Sequence, residues 1–273
     1  MRKTTLLAAA ALLGSPGLTL AQNTPEENNA NADAPFVRNI RADRPGQTIT
    51  AQVLQPGRFQ LETGFQRQFG GSGLPQSMSA ATLRVGFFNS MELRVSQPYF
   101  HSGPAIVTEA GTTTARGYAP AVVGTKLMLS PNYNTRTQVA ILVESAVPNT
   151  GGAGLRSTTW APSGRLLVSE QLGETCGLEA NFGFSQPGIT TADISKGQFL
   201  GTLALNGHLT QKTGYFVEAY GYGRANLNSG TTAGLYFRPI PQMRVDVTAG
   251  RALGGLAAGT TTVGAGLTFK VGN

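Results

Sequence analysis

The stretch "GRFQLETGFQRQF", Gly57 to Phe69, puts Phe59, Leu61, Thr63, Phe65 and Phe69 on odd positions and Gln60, Glu62, Gln66 and Gln68 on even ones. Successive side chains of a strand point to opposite faces, so this segment has one apolar face and one polar face. In a soluble sandwich the apolar face looks inward to a core. In a membrane barrel it looks outward to lipid, and the polar face lines the interior. The rest of the chain decides between the two.

The same alternation continues to the C-terminus and predicts twelve strands: 57–69, 79–88, 91–100, 119–129, 135–146, 162–172, 175–185, 198–210, 214–224, 230–238, 241–251 and 260–271. Most are far longer than the ~5–6 residues common in soluble sheets and match the ~9–11 that a tilted membrane strand needs. "LEANFGF" and "TTVGAGLTFKV" alternate cleanly, whereas "RLLVSEQL" is ambiguous. The connections alternate long and short. "GGSGLPQSM", "HSGPAIVTEAGTTTARGY", "VPNTGGAGLRSTTWA", "QPGITTADISKG" and "ALGGLAAG" are long, with a medium "ANLNSG"; "NS", "SPNYN", "GE", "QKTG" and "PIP" are short. Outer-membrane barrels show this asymmetry, with long loops outside and short turns in the periplasm; Greek-key sandwiches have no cause for it.

Charge follows the polar parity. Glu62, Arg84, Glu92, Arg94, Lys126, Glu144, Glu179, Glu218, Arg224, Arg244, Asp246 and Lys270 all fall on it, with Arg67 the main exception near a strand end. Lipid-facing Arg or Lys costs ~2–4 kcal/mol at the bilayer midplane, so the parity reads as exclusion of charge from a lipid face. Aromatic residues gather toward strand ends (Phe69, Phe87, Tyr99, Trp160, Phe184, Tyr215, Phe237), where interfacial girdles lie.

Composition agrees. Charged residues make up only 13% of the 273, Gly is abundant at 36, and mean hydropathy is close to zero. After the first 21 residues no segment approaches the ~18 apolar residues of a membrane helix. Residues 1–21 read as a secretory signal: "MRK" is the positive region, "TTLLAAAALLGSPGLTL" the apolar region, and Ala21 precedes the cleavage point. Residues 22–56 are polar and without sustained period, and read as a flexible periplasmic segment ahead of a barrel over 57–273, whose path is expected to be narrow, or occluded by loops or by this segment. The single cysteine, Cys176, excludes an intrachain disulfide. The formal net charge of +7 falls to +5 without Arg2 and Lys3, and the remaining cations are scattered, which argues against a nucleic-acid partner.

Signs of catalysis are sparse. The two histidines are His101, opening a long loop, and His208, on the polar parity of the eighth strand. An outer-membrane hydrolase acting through His208 would need a serine and an orienting Asn or Asp. No HExxH or CxxC spacing suggests a metal, and the Gly-rich stretches precede strands rather than helices, so no cofactor site is expected. The chain reads as a non-enzyme. Its candidate functional residues are those of the lumen: Glu62, Arg84, Glu92, Arg94, Lys126, Glu144, Glu218, Arg244 and Asp246. Acid and base recur on neighbouring strands there, either as a charged constriction selecting solutes or as a structural network filling a narrow barrel. Glu62 needs an interior partner, and Arg84 on the next strand is the first candidate.

The segment "IRADRPGQTITAQVLQPGRFQLETGF" resembles the opening of a family of bacterial outer-membrane proteins described as transporters or as components of the meta-cleavage pathway of phenol degradation. Asp43, Arg44, Pro45, Gln47 and Thr48 match its D-R-P-x-Q-T stretch; Pro56, Gly57, Gln60, Glu62 and Gly64 match its first strand. "VVGTKLML", "GYFVEAYGY" and "AGLYFRPIPQMRVDVTAG" look similar too. Gly46 stands where the family has an acidic residue, and the chain ends "FKVGN" rather than on an aromatic. The resemblance implies passive passage of small, hydrophobic or aromatic molecules through a barrel in the bacterial outer membrane. Lipid, the solute and the barrel assembly machinery are then the expected partners. The residues themselves support an all-β, antiparallel up-and-down transmembrane barrel of about twelve strands. A closed structural or adhesive barrel working through its loops is the alternative.

Overall fold

The computed structural model describes residues 40, 42–43, 46–108, 111–130, 136–173, 175–194 and 196–271. Twelve long antiparallel strands form the wall. They are β1 (Phe59–Gly70), β2 (Gln76–Phe88), β3 (Met91–Ser102), β4 (Val122–Met128), β5 (Thr137–Ala146), β6 (Ala161–Gln171), β7 (Cys176–Ser185), β8 (Gln198–His208), β9 (Thr213–Gly223), β10 (Asn228–Ile240), β11 (Met243–Gly254) and β12 (Thr260–Val271). Each pairs with its neighbour in sequence, and β1 pairs with β12 from Phe59↔Val271 to Gly70↔Thr260, which closes the sheet. Closure removes every sheet edge, so each wall strand has a ladder partner on both sides.

The faces are resolved as a membrane barrel requires. Phe59, Leu61 and Phe65 are exposed on the outside, while Gln60 and Glu62 between them are fully buried. Exposed Leu203, Val217, Leu235 and Val247 continue the apolar exterior over β8 to β11. Leu203 lies mid-strand, facing outward beside inward Thr202 and Ala204. Replacing Leu203 with Arg is expected to destabilise the barrel in lipid vesicles by about 2–4 kcal/mol, read from denaturant unfolding. An exterior facing water would tolerate the change at almost no cost.

The strand boundaries reproduce the alternation closely, with instructive differences. The fourth strand begins at Val122 rather than at 119, because Pro120 lacks the N–H a ladder needs. Before it, the connection from β3 carries a hairpin of its own, Ala105–Thr108 with Gly111–Thr114, and Gly117–Tyr118 extends the pairing of β3. The loop alternation is uneven. Loops 103–121, 147–160 and 186–197 are long, the last holding one helical turn, Thr191–Ile194. The expected long connection after β1 shrinks to 71–75 and that before β12 to 255–259, because the strands run further up the barrel.

The largest departure concerns residues 22–56. Of that stretch the described residues 40, 42–43 and 46–54 are almost all buried; Ile40, Ala42, Asp43, Thr48, Ile49, Thr50 and Ala51 have essentially no exposure. This part is not a free periplasmic tail: it lies inside the barrel. The absence of period that made it look flexible reflects contact on all sides, since a segment surrounded by wall has no solvent face. The predicted signal and residues 22–39 lie outside the described residues.

Candidate functional site: the occupied lumen

The segment carries few ladder bonds of its own, so its buried N–H groups must find acceptors elsewhere. The wall supplies them. The amide of Asp43 donates to Glu62 Oε1 at 3.1 Å, and those of Gln47 and Thr48 to Glu218 Oε2 at 2.6 and 2.5 Å. The Ile49 amide donates to Asn181 Oδ1 at 2.5 Å, that of Ala51 to Ser169 Oγ at 3.0 Å, and that of Leu54 to Glu92 Oε2 at 2.9 Å. Asn181 also donates its Nδ2 to the Ile49 carbonyl at 2.7 Å, so one amide side chain pairs with both polar groups of one residue. Side chains from β1, β3, β6, β7 and β9 therefore hold the segment across the lumen.

The strongest grip is electrostatic. Strand register places Arg84 directly opposite Arg94 across β2 and β3, a like-charge pairing that is unfavourable alone. Asp43 sits between them. Its carboxylate meets Arg84 Nη1 at 3.5 Å, Lys126 Nζ at 3.2 Å and the Arg94 guanidinium. Arg84 also grips Glu92 with two parallel bonds of 2.9 and 2.8 Å and meets Glu62 Oε1 at 2.9 Å. The expected Glu62–Arg84 partnership is thus present. Arg94 Nε reaches Glu144 at 3.1 Å, and Lys126 donates to the Gln52 carbonyl at 3.0 Å. Buried charges are tolerable only when paired and hydrogen-bonded, and here three cations share four carboxylates.

Six of the nine residues singled out from the sequence meet in this cluster or at its edge: Glu62, Arg84, Glu92, Arg94, Lys126 and Glu144. Glu218 anchors Gln47 and Thr48 from β9. Arg244 and Asp246 are buried on β11, with Arg244 lying 4.0 Å over the Tyr236 ring. Asp43, Asn181, Ser169 and Arg165 were missed as site residues. Asp43 lay outside any strand, although it opens the D-R-P motif. Arg165 and Ser169 lay in the ambiguous "RLLVSEQL". That ambiguity has a physical source: inward-facing Leu167 joins Ala140 and Leu142 in an apolar pad under Ile49 and Ala51. The interior is therefore not uniformly polar; it is apolar where the segment's own apolar side chains rest.

Two glycines make room for this arrangement. A Cβ on Gly86 would lie 1.9 Å from the Gln55 carbonyl oxygen, so the segment passes against bare β2 backbone. Gly86→Ala is expected to lift residues 54–55 off the wall at a cost of about 1–3 kcal/mol, seen as faster proteolysis of the segment with the barrel intact. A Cβ on Gly46 would come within 2.7 Å of Glu218 Oε2, so any side chain here would crowd Glu218.

Above the segment, at the long-loop end, an inner cavity of about 60 Å³ remains. Val122, Ala146, Ala161 and Leu200 form apolar wall, with Glu144 and Arg165 among its polar lining. Arg165 Nη1 donates to the Gln47 carbonyl at 3.3 Å, so the segment reaches the cavity's base. His208 lies on β8, its backbone bonded to Thr175. His101 faces outward, 2.7 Å from Ser79 Oγ and packed against Phe65 and Tyr99.

A closed twelve-stranded wall, apolar outside and charge-paired inside, defines the class of outer-membrane β-barrels. The chain belongs to the family described as "Putative MetA-pathway of phenol degradation", which matches residues 42–272 and so includes the segment from Ala42 onward. The solved COG4313 outer membrane channel from Pseudomonas putida F1 is similar in fold: TM-score 0.65, 12% identity, covering 84% of this chain and 99% of that one. The KdgM porin, solved in complex with disordered oligogalacturonate, follows at a TM-score of 0.55 and 8% identity, covering 77% and 98%. No curated protein matches the sequence.

Proposed function

We propose that this protein is an outer-membrane channel for the passive passage of small molecules, with residues 42–43 and 46–54 held across its lumen. The observation that carries this reading is the wall itself: inward Glu62, Glu92, Ser169, Asn181 and Glu218 hold a chain segment across the interior. A barrel of eight strands is filled by its own side chains and one of sixteen to eighteen leaves an open channel; twelve leave room for a segment and a narrow path. The apolar patches of the upper cavity, and the family's association with phenol degradation, favour small aromatic or otherwise hydrophobic solutes. The proposed surroundings are outer-membrane lipid, entered through the barrel assembly machinery.

Uptake of an ionised aromatic carboxylate into liposomes containing the folded full chain tests this. Uptake should exceed that of liposomes carrying heat-denatured chain. Equal rates would favour the closed structural barrel.

A further inference from the structure

The outer surface carries two cations that the lumen does not explain. Arg67 on β1 and Arg251 on β11 are exposed and share the outward parity of Phe65 and Val247. Both lie toward the long-loop end of their strands. Across β12, Arg251 stands opposite Thr261 and Arg67 opposite Val263. Two strand spacings and two residues separate them, roughly 12 Å between Cα atoms. Hydroxyls flank both: Thr231 and Thr261 beside Arg251, Ser77 beside Arg67.

Other cations on the wall strands have protein partners. Arg84, Arg94 and Lys126 are ion-paired inside, and at the short-turn rim exposed Arg136 meets Glu170 at 3.1 Å. Among the described residues Arg67 has no ion pair, and Arg251 has only a 3.3 Å hydrogen bond to Thr261 Oγ1. A lipid-facing Arg is costly near the midplane and close to neutral at the interface, where anionic headgroups lie. The level is interfacial, since Phe69 is directly opposite Thr261 and the Tyr99–His101–Tyr118 ring cluster lies nearby on the same face.

We infer that Arg67 and Arg251, with Thr231, Thr261 and Ser77, bind the headgroup of a phosphorylated glycolipid in the outer leaflet. Guanidinium groups pair bidentately with phosphate. Two of them, one strand apart and each next to hydroxyl donors, fit a headgroup bearing two phosphates better than a single one. The inference rests on the outer-membrane reading above, but not on what the lumen transports.

The test is co-purification. The refolded full chain is placed in phosphatidylcholine nanodiscs doped with bis-phosphorylated, mono-phosphorylated or dephosphorylated lipid A, and bound glycolipid is counted by native mass spectrometry. Retention should fall in that order for the wild-type chain, and R67Q/R251Q should lower retention of the bis-phosphorylated form about tenfold or more. Arg136→Gln, at the opposite rim, should leave it unchanged. Equal retention of the three forms by the wild-type chain would overturn the proposal without any variant. So would undiminished retention by R67Q/R251Q that still shows a heat-dependent gel shift. In either case that shift keeps the barrel reading standing.

Discussion

Alanine in place of Asp43 is expected to free the amino-terminal segment from the lumen while leaving the barrel folded. The carboxylate it removes touches Arg84, Arg94 and Lys126 at once. Those cations keep partners of their own on the wall: Arg84 holds Glu92 and Glu62, Arg94 holds Glu144, and Lys126 lies 3.5 Å from Glu92. The loss therefore falls on docking of the segment. Removing one member of a buried ionic cluster costs about 3–5 kcal/mol, which raises an undocked state by two orders of magnitude or more. A cysteine at position 51, buried in the docked segment, should label with a maleimide far faster in the Asp43→Ala background. The gel shift on heating should persist. Unchanged labelling would mean that the charge cluster does not hold the segment.

Glu92→Ala should do more damage, and to both parts. Glu92 accepts two bonds from Arg84 on β2, lies beside Lys126 on β4, and accepts the Leu54 amide from the segment. Its loss strips the bidentate partner from a fully buried guanidinium and opens the junction of three wall strands. The expected cost is again about 3–5 kcal/mol, now partly borne by the barrel. The denaturant midpoint of the barrel should drop together with the protection of position 51. Asp43→Ala should move only the second of these.

Much of this molecule was legible in the sequence because a closed barrel imposes one rule on every strand. The period of two, applied to "TTVGAGLTFKV", places β12 within its observed limits, Thr260–Val271. The inward charges follow from the same parity, since a misplaced charge would face lipid. The rule fails where a second surface intrudes. Leu167 and Leu142 face inward because Ile49 and Ala51 cover them, so β6 loses the contrast between its faces. Asp43 was invisible as the centre of the charge cluster because no periodicity reaches a segment without ladder bonds. The strand register sets Arg84 against Arg94, and Asp43 comes between them from outside the ladder, where no alternation points to it.

The central claim is that the described residues of the amino-terminal segment, 42–43 and 46–54, occupy the lumen of a barrel able to conduct without them. Single-channel recording in planar bilayers, comparing the full mature chain with one lacking residues 22–56, tests it most directly. The account predicts small or infrequent steps from the full chain and larger, sustained ones from the shortened chain. Identical conductance from the two would contradict it.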